Sequence, residues 1–207
     1  MESIVWKFDR LEGIGGNPTR TEGHPKLIST PAGKAALFNG ADDVIFVENH
    51  PLAGATNFTI EGVFRPDGGA FEQRWLHLAE ADPVNGEAQS PRTLFEVRIV
   101  EDKWYSDAFT TGPGYNKALV VPEKTFPVAR WYSVQQTLEG KMYRSYVDGV
   151  LQAEAEIDFK PHGPGRASVG MRINKVTPFK GAVLEVRFTP RALAPAAFAG
   201  LPPALRA

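Results

Sequence analysis

Apolar and polar residues alternate along most of this chain, as in Phe58-Thr59-Ile60-Glu61-Gly62-Val63-Phe64, Leu94-Phe95-Glu96-Val97-Arg98-Ile99-Val100 and Val183-Leu184-Glu185-Val186-Arg187-Phe188. Successive side chains of a strand point to opposite faces, so a period of two predicts half-buried strands. Similar runs cover Ile4 to Phe8, Ala35 to Phe38, Val44 to Val47, Trp75 to Leu78, Trp131 to Thr137 and Met142 to Val147. The 20 glycines and 17 prolines fall between these runs at short intervals, as turn punctuation. About ten to twelve short strands are expected. No window holds a 3.6-residue period free of Pro and Gly, and the last segment, Ala192 to Ala207, carries three prolines, so no helix of any length is predicted.

One segment sets propensity against pattern. Leu151 to Phe159 is rich in good helix formers, yet Leu151, Ala153, Ala155, Ile157 and Phe159 occupy alternate positions with polar residues between them. The alternation, and the hairpin-prone Asp148-Gly149 before it, predict a strand. Many antiparallel strands without helical crossovers imply two sheets packed face to face, an all-β sandwich, and the whole chain, 1–207, reads as one domain. Trp6, Phe38, Phe58, Trp131 and Phe188 are the expected core aromatics. Asn39-Gly40 and Asp148-Gly149 are expected to supply positive φ at turns.

Composition narrows the function classes. With 23 Lys and Arg against 24 Asp and Glu, the net charge of -1 lacks the concentrated basic field that nucleic acid requires. No apolar run is long enough to span a bilayer as a helix. The absence of cysteine removes thiol chemistry and thiolate metal sites and leaves the compartment open. The N-terminus reads as a strand and shows no signal peptide; an extracellular or periplasmic home would require this to be a processed form. Oligomeric state is not legible.

Five segments in order carry a family resemblance: Phe38-Asn39-Gly40-Ala41-Asp42-Asp43-Val44; Phe58 to Pro66; Trp131-Tyr132-Ser133-Val134; Tyr146-Val147-Asp148-Gly149-Val150-Leu151; and Phe179-Lys180-Gly181 through Glu185-Val186-Arg187-Phe188 to Arg191-Ala192-Leu193. From about Trp6 to Phe198 the chain resembles the concanavalin A-like lectin/glucanase superfamily in its laminin-G-like branch. The resemblance implies a jelly roll of two antiparallel sheets, one curved, that meets carbohydrate or protein ligands on the concave face or rim loops. It does not imply one activity. A structural calcium ion, common in such jelly rolls, would find Asp9, Asp42 and Asp43 as hard ligands. Relatives often carry an acidic residue before Glu-Val-Arg in the last strand, where this chain has Leu184, which weakens that expectation.

The leading expectation is a carbohydrate-binding jelly roll without a required cofactor. Trp104, Tyr105 and Tyr115, in an irregular polar stretch around Gly112-Pro113-Gly114, are candidate sugar-stacking rings; a satellite cluster under a loop is the alternative. His77 and Arg98 are candidate ligand contacts, with a structural histidine and a cross-strand ion pair as their alternatives. A glycoside hydrolase or polysaccharide lyase would need a carboxylate pair; for hydrolysis the two stand about 5 to 9 Å apart, and Glu61 with Glu96 are the candidates. Glu154-x-Glu156-x-Asp158 has the spacing of a catalytic strand but reads as a solvated face, because Lys160-Pro161-His162 replaces the third carboxylate. A protein-interaction module is the third reading. His24, His50 and His162 lie near prolines without partners at ligand spacing, so no zinc site is expected. Neither a nucleophile elbow nor a phosphate loop is present.

Overall fold

The computed structural model describes residues 2–206. Sixteen strands follow one another: β1 (Ile4–Lys7), β2 (Thr19–Glu22), β3 (Lys26–Thr30), β4 (Gly33–Asn39), β5 (Val44–Val47), β6 (Phe58–Pro66), β7 (Glu72–Ala81) and β8 (Ala88–Val100), then β9 (Lys103–Gly112), β10 (Tyr115–Val120), β11 (Phe126–Pro127), β12 (Tyr132–Glu139), β13 (Met142–Val147), β14 (Val150–Glu156), β15 (Gly165–Val169) and β16 (Lys180–Thr189). That exceeds the ten to twelve expected, because short edge strands such as β2, β3 and β11 pair through their backbones without an alternating pattern of their own. The only helical segments among the described residues are three-residue 3-10 turns.

Two antiparallel sheets form a jelly-roll sandwich. The first has the order β14-β13-β12-β6-β16-β4-β3, with β1 also on β16, and the second the order β10-β9-β8-β7-β15-β5-β2, with β11 on β9. Inward positions of both meet in one core. Phe64 of the first sheet stacks on Trp75 of the second at 5.1 Å and meets Trp104 edge-on at the same distance. Trp6, Phe38, Phe58 and Phe188 are buried, as the alternation implies.

Two positions depart from the expected pattern. Ser145 pairs with Ala153 while Tyr146 pairs with Leu151, so Gln152 is an extra residue in β14. The bulge turns Leu151 out to solvent and leaves Ala153, Ala155, Ile157 and Phe159 against the core. Trp131 sits just before β12 on the outer side of the first sheet, half-buried beside Arg65.

The chain after β16 crosses that outer side. Thr59 Oγ1 donates to the Arg191 carbonyl at 2.9 Å and accepts the Leu193 N–H at 2.8 Å, and Leu205 packs with Ala35, Val63 and Leu184. A sheet face that would otherwise be open is thereby partly roofed.

Gly62, in the middle of β6, faces the tip of Trp75, and a Cβ there would stand 2.4 Å from the Trp75 Cη2 atom. Gly62→Ala is expected to lower stability by about 1 to 3 kcal/mol through overpacking, read as a lower urea midpoint. An unchanged midpoint would contradict this close approach.

Candidate functional site

Strand alternation sends Ser133 and Gln135 of β12 outward, since Tyr132, Val134 and Leu138 face the core. Here the C-terminal segment closes over the sheet and leaves a cleft of about 520 Å³ between itself, β12 and the β13–β14 turn. Trp131, Gln135, Asp148, Phe198 and Leu201 are among its lining residues.

Each wall has a local cause. Asp148 and Gly149 both have positive φ, 48° and 76°, the geometry of a tight two-residue hairpin turn. The Asp148 carboxylate accepts the Ser133 backbone N–H at 2.8 Å and the Ser133 hydroxyl at 3.2 Å, fixing the turn against β12. The Arg65 guanidinium lies 5.5 Å from the Trp131 ring centre and is held in turn by two 2.8 Å bonds to Asp67. Phe198 stands edge-on to Tyr146 at 5.2 Å.

The floor of the cleft is polar. Gln135 is fully buried, and neither its amide nitrogen nor its amide oxygen has a hydrogen-bond partner. Directly across on β6 stands Glu61, whose Oε1 accepts the Ala199 N–H at 2.7 Å while its buried Oε2 has no partner. Burial pushes the Glu61 carboxyl above the usual carboxylate range. Buried polar atoms without partners are costly and uncommon, and here they cluster under a cavity. Two donors and an acceptor on one amide, beside a partly open indole, can bind a hydroxyl-rich ligand.

The residues singled out from sequence are dispersed. Glu61 lies on the outer face of the first sheet and Glu96 on the outer face of the second, with both sheets between them. Packed sheets are about 10 Å apart, so the pair cannot act on one glycosidic bond. Burial, and then the neighbouring Asp107, push Glu96 up to about 7. Arg98, rather than reaching toward a ligand, joins a charge ladder with Asp107 at 2.6 Å, Glu72 at 2.5 Å and Glu96 at 3.4 Å. His77 is a buried structural histidine whose Nδ1 accepts the Ile173 N–H at 3.0 Å.

Trp104 and Tyr115 are core residues, not exposed rings: Trp104 is fully enclosed by Phe64, Phe126 and Tyr132, and the Tyr115 hydroxyl lies 2.9 Å from His162 Nε2. Tyr105 is outward but almost wholly covered. His50 and His162, read as separate loop residues, meet edge-on at 5.6 Å in the interior. Glu154 pairs with Arg144 and Asp158 with Lys141 on a solvated edge.

The three carboxylates named for calcium do not gather. Asp43 accepts the His24 and Asn39 backbone N–H groups, Asp42 accepts the Asn39 side-chain amide, and Asp9 pairs with Arg10. No group of three His, Asp or Glu residues suited to a metal ion occurs among the described residues. Nor is any helix there long and apolar enough to cross a membrane.

The family model for Laminin_G_3, of the concanavalin A-like lectin/glucanases superfamily, matches residues 39–197. Domain 4 of AbnA, a GH43 extracellular arabinanase from Geobacillus stearothermophilus solved in complex with arabinotriose, is similar in structure, with a TM-score of 0.68 and 16% identity, covering 93% of this chain and 94% of that one. The receptor binding domain of botulinum neurotoxin D has a TM-score of 0.64 at 12% identity, covering 93% of this chain and 50% of that one. A Trypanosoma rangeli sialidase in complex with the inhibitor DANA has a TM-score of 0.62 at 11% identity, covering 93% of this chain and 31% of that one. Likeness at such identity speaks for the fold alone. No curated protein matches the chain in sequence.

Proposed function

The chain belongs to the concanavalin A-like lectin/glucanases superfamily, and from that membership we propose that it is a carbohydrate-binding domain whose ligand enters the cleft between β12 and the C-terminal segment. The observation that carries this reading is Gln135, fully buried at the cleft with both amide atoms unpartnered. Ligand hydroxyls would supply the missing partners, and the Trp131 ring would take the apolar face of a sugar. The cleft's size is within the usual range of small-molecule sites. The arabinanase domain that resembles this chain over nearly the full length of both was solved with arabinotriose bound, which makes short neutral oligosaccharides the first ligands to try.

The test is a glycan array with neutral and acidic sugars, followed by calorimetry on any hit and by measurement of reducing-sugar release. Trp131→Ala and Gln135→Ala are each expected to weaken binding at least tenfold, about 1.4 kcal/mol, with little change in melting temperature. Wild-type affinity in both variants, or no glycan bound by the wild type, would overturn the reading.

A further inference from the structure

The outer face of the second sheet, opposite the cleft, carries a ladder of charges. Arg74 pairs with Glu72 at 2.6 Å and Glu96 at 2.9 Å, and Arg98 with Glu72 and Asp107. Arg20 and Arg166 also have carboxylate partners, Glu22 and Glu48. Arg92 and Arg172 break this rule. Neither forms an ion pair with a carboxylate among the described residues, and both have a buried Nε without a hydrogen-bond partner.

The two residues come to the same part of the sheet, close enough for the Arg92 charge to act on Arg172. Arg92 stands on β8 across from Ala79 of β7, with its guanidinium carbon 5.3 Å from the Phe109 ring centre and one Nη donating to the Ser90 carbonyl at 3.0 Å. Arg172 lies just after β15, one residue before Ile173, whose N–H caps His77 two residues from Ala79. Burial, and then Arg92 and Arg74, hold Arg172 below the usual arginine range; burial and Arg74 act on Arg92 in the same direction, against Glu96. Partly desolvated positive charge has been left with too little countercharge, and a guanidinium fork matches the geometry of an oxyanion.

We propose that Arg92 and Arg172 form an anion subsite that takes a carboxylate or sulfate group. The subsite is independent of the cleft, since it lies on the other sheet. Its ligand is a single oxyanion rather than a polyphosphate, because the surrounding ladder already balances its own arginines with Glu72, Glu96 and Asp107.

Sodium sulfate and sodium glucuronate, each titrated against sodium chloride at matched ionic strength, separate a sulfate group from a sugar acid; methyl glucoside is the neutral control. The readout is the side-chain Nε–Hε NMR signals of Arg92 and Arg172. Saturable shifts with one or both anions, absent with chloride and methyl glucoside, are expected. The double variant R92Q/R172Q should bind the preferred anion at least tenfold more weakly while melting no lower than wild type, because like charges have been removed. Wild-type anion affinity in R92Q/R172Q, or shifts that never saturate in the wild type, would overturn the subsite and leave the cleft untouched.

Discussion

The protein is expected to lose thermal stability as pH falls below 6.5, gently at first and steeply below about pH 4.5. Burial, with Arg172 and Arg92 nearby, holds His77 down to about 3; burial, with His162 facing it, holds His50 to about 3; and burial holds His162 to about 4. The unfolded chain protonates these rings near 6.5 while the folded chain refuses the proton, so each histidine lowers stability as pH falls through that window. Glu96, raised to about 7, acts with the opposite sign between 7 and 4.5, and Glu61, raised by burial, acts in the same direction as Glu96 above 4.5, because the folded state there holds protons that the unfolded state releases. This opposition makes the net slope shallower there, about 1.4 kcal/mol per pH unit for each unmatched proton. Below 4.5 the glutamates no longer oppose them, and the histidines act at about 3 kcal/mol per pH unit, a slope that falls away as His162 near 4 and then His50 and His77 near 3 take up protons in the folded state. Against a total stability of about 5 to 15 kcal/mol, a loss of this kind lowers the melting temperature markedly by pH 3. Calorimetry across pH 8 to 3 gives the curve, and NMR of the ring C–H signals gives its cause. Rings titrating near 6.5 in the folded protein would refute it.

Strand positions and inward faces were legible because the direction of a side chain in a strand is a local property. Failures came where the direction was not local or where the inward position was polar. β9 illustrates the second: Trp104, Ala108 and Thr110 face the core and Tyr105, Asp107 and Phe109 face out. An inward hydroxyl is tolerated because Thr110 meets Thr93 at 3.0 Å inside the core. That inversion makes a buried strand look like an irregular polar loop, and it drew Trp104 and Tyr115 into the candidate site. Glu61 and Glu96 illustrate the first kind: each alternates outward on its own strand, but β6 lies between β12 and β16 while β8 lies between β7 and β9. No local pattern reports that sheet switch. The cleft was invisible for the same reason, since it arises where residues near 131 to 149 meet a segment beyond 190. The signal available in the sequence was Gln135, an outward polar residue on a strand beginning beside a tryptophan.

Replacing Trp104 by alanine is expected to cost about 3 to 5 kcal/mol, the usual range for a fully buried aromatic ring. Its ring is wedged at 5.1 Å from Phe64, 5.1 Å from Tyr132 and 5.2 Å from Phe126, so the strands nearby cannot close over the gap without moving three other aromatics. Trp131→Ala removes a ring of the same size from the outer side and is expected to cost less than about 1 kcal/mol, because solvent can fill the space it leaves. Urea midpoints of the two variants measure the difference. The coupling to the site runs through Tyr132, which packs on Trp104 within the core, borders the cleft and donates its hydroxyl to the Pro127 carbonyl at 2.6 Å. Trp104→Phe, which keeps an aromatic wedge, should therefore retain more glycan affinity than Trp131→Ala. If Trp104→Ala melts like the wild type and loses ligand instead, the ring belongs to the binding surface and the core assignment fails.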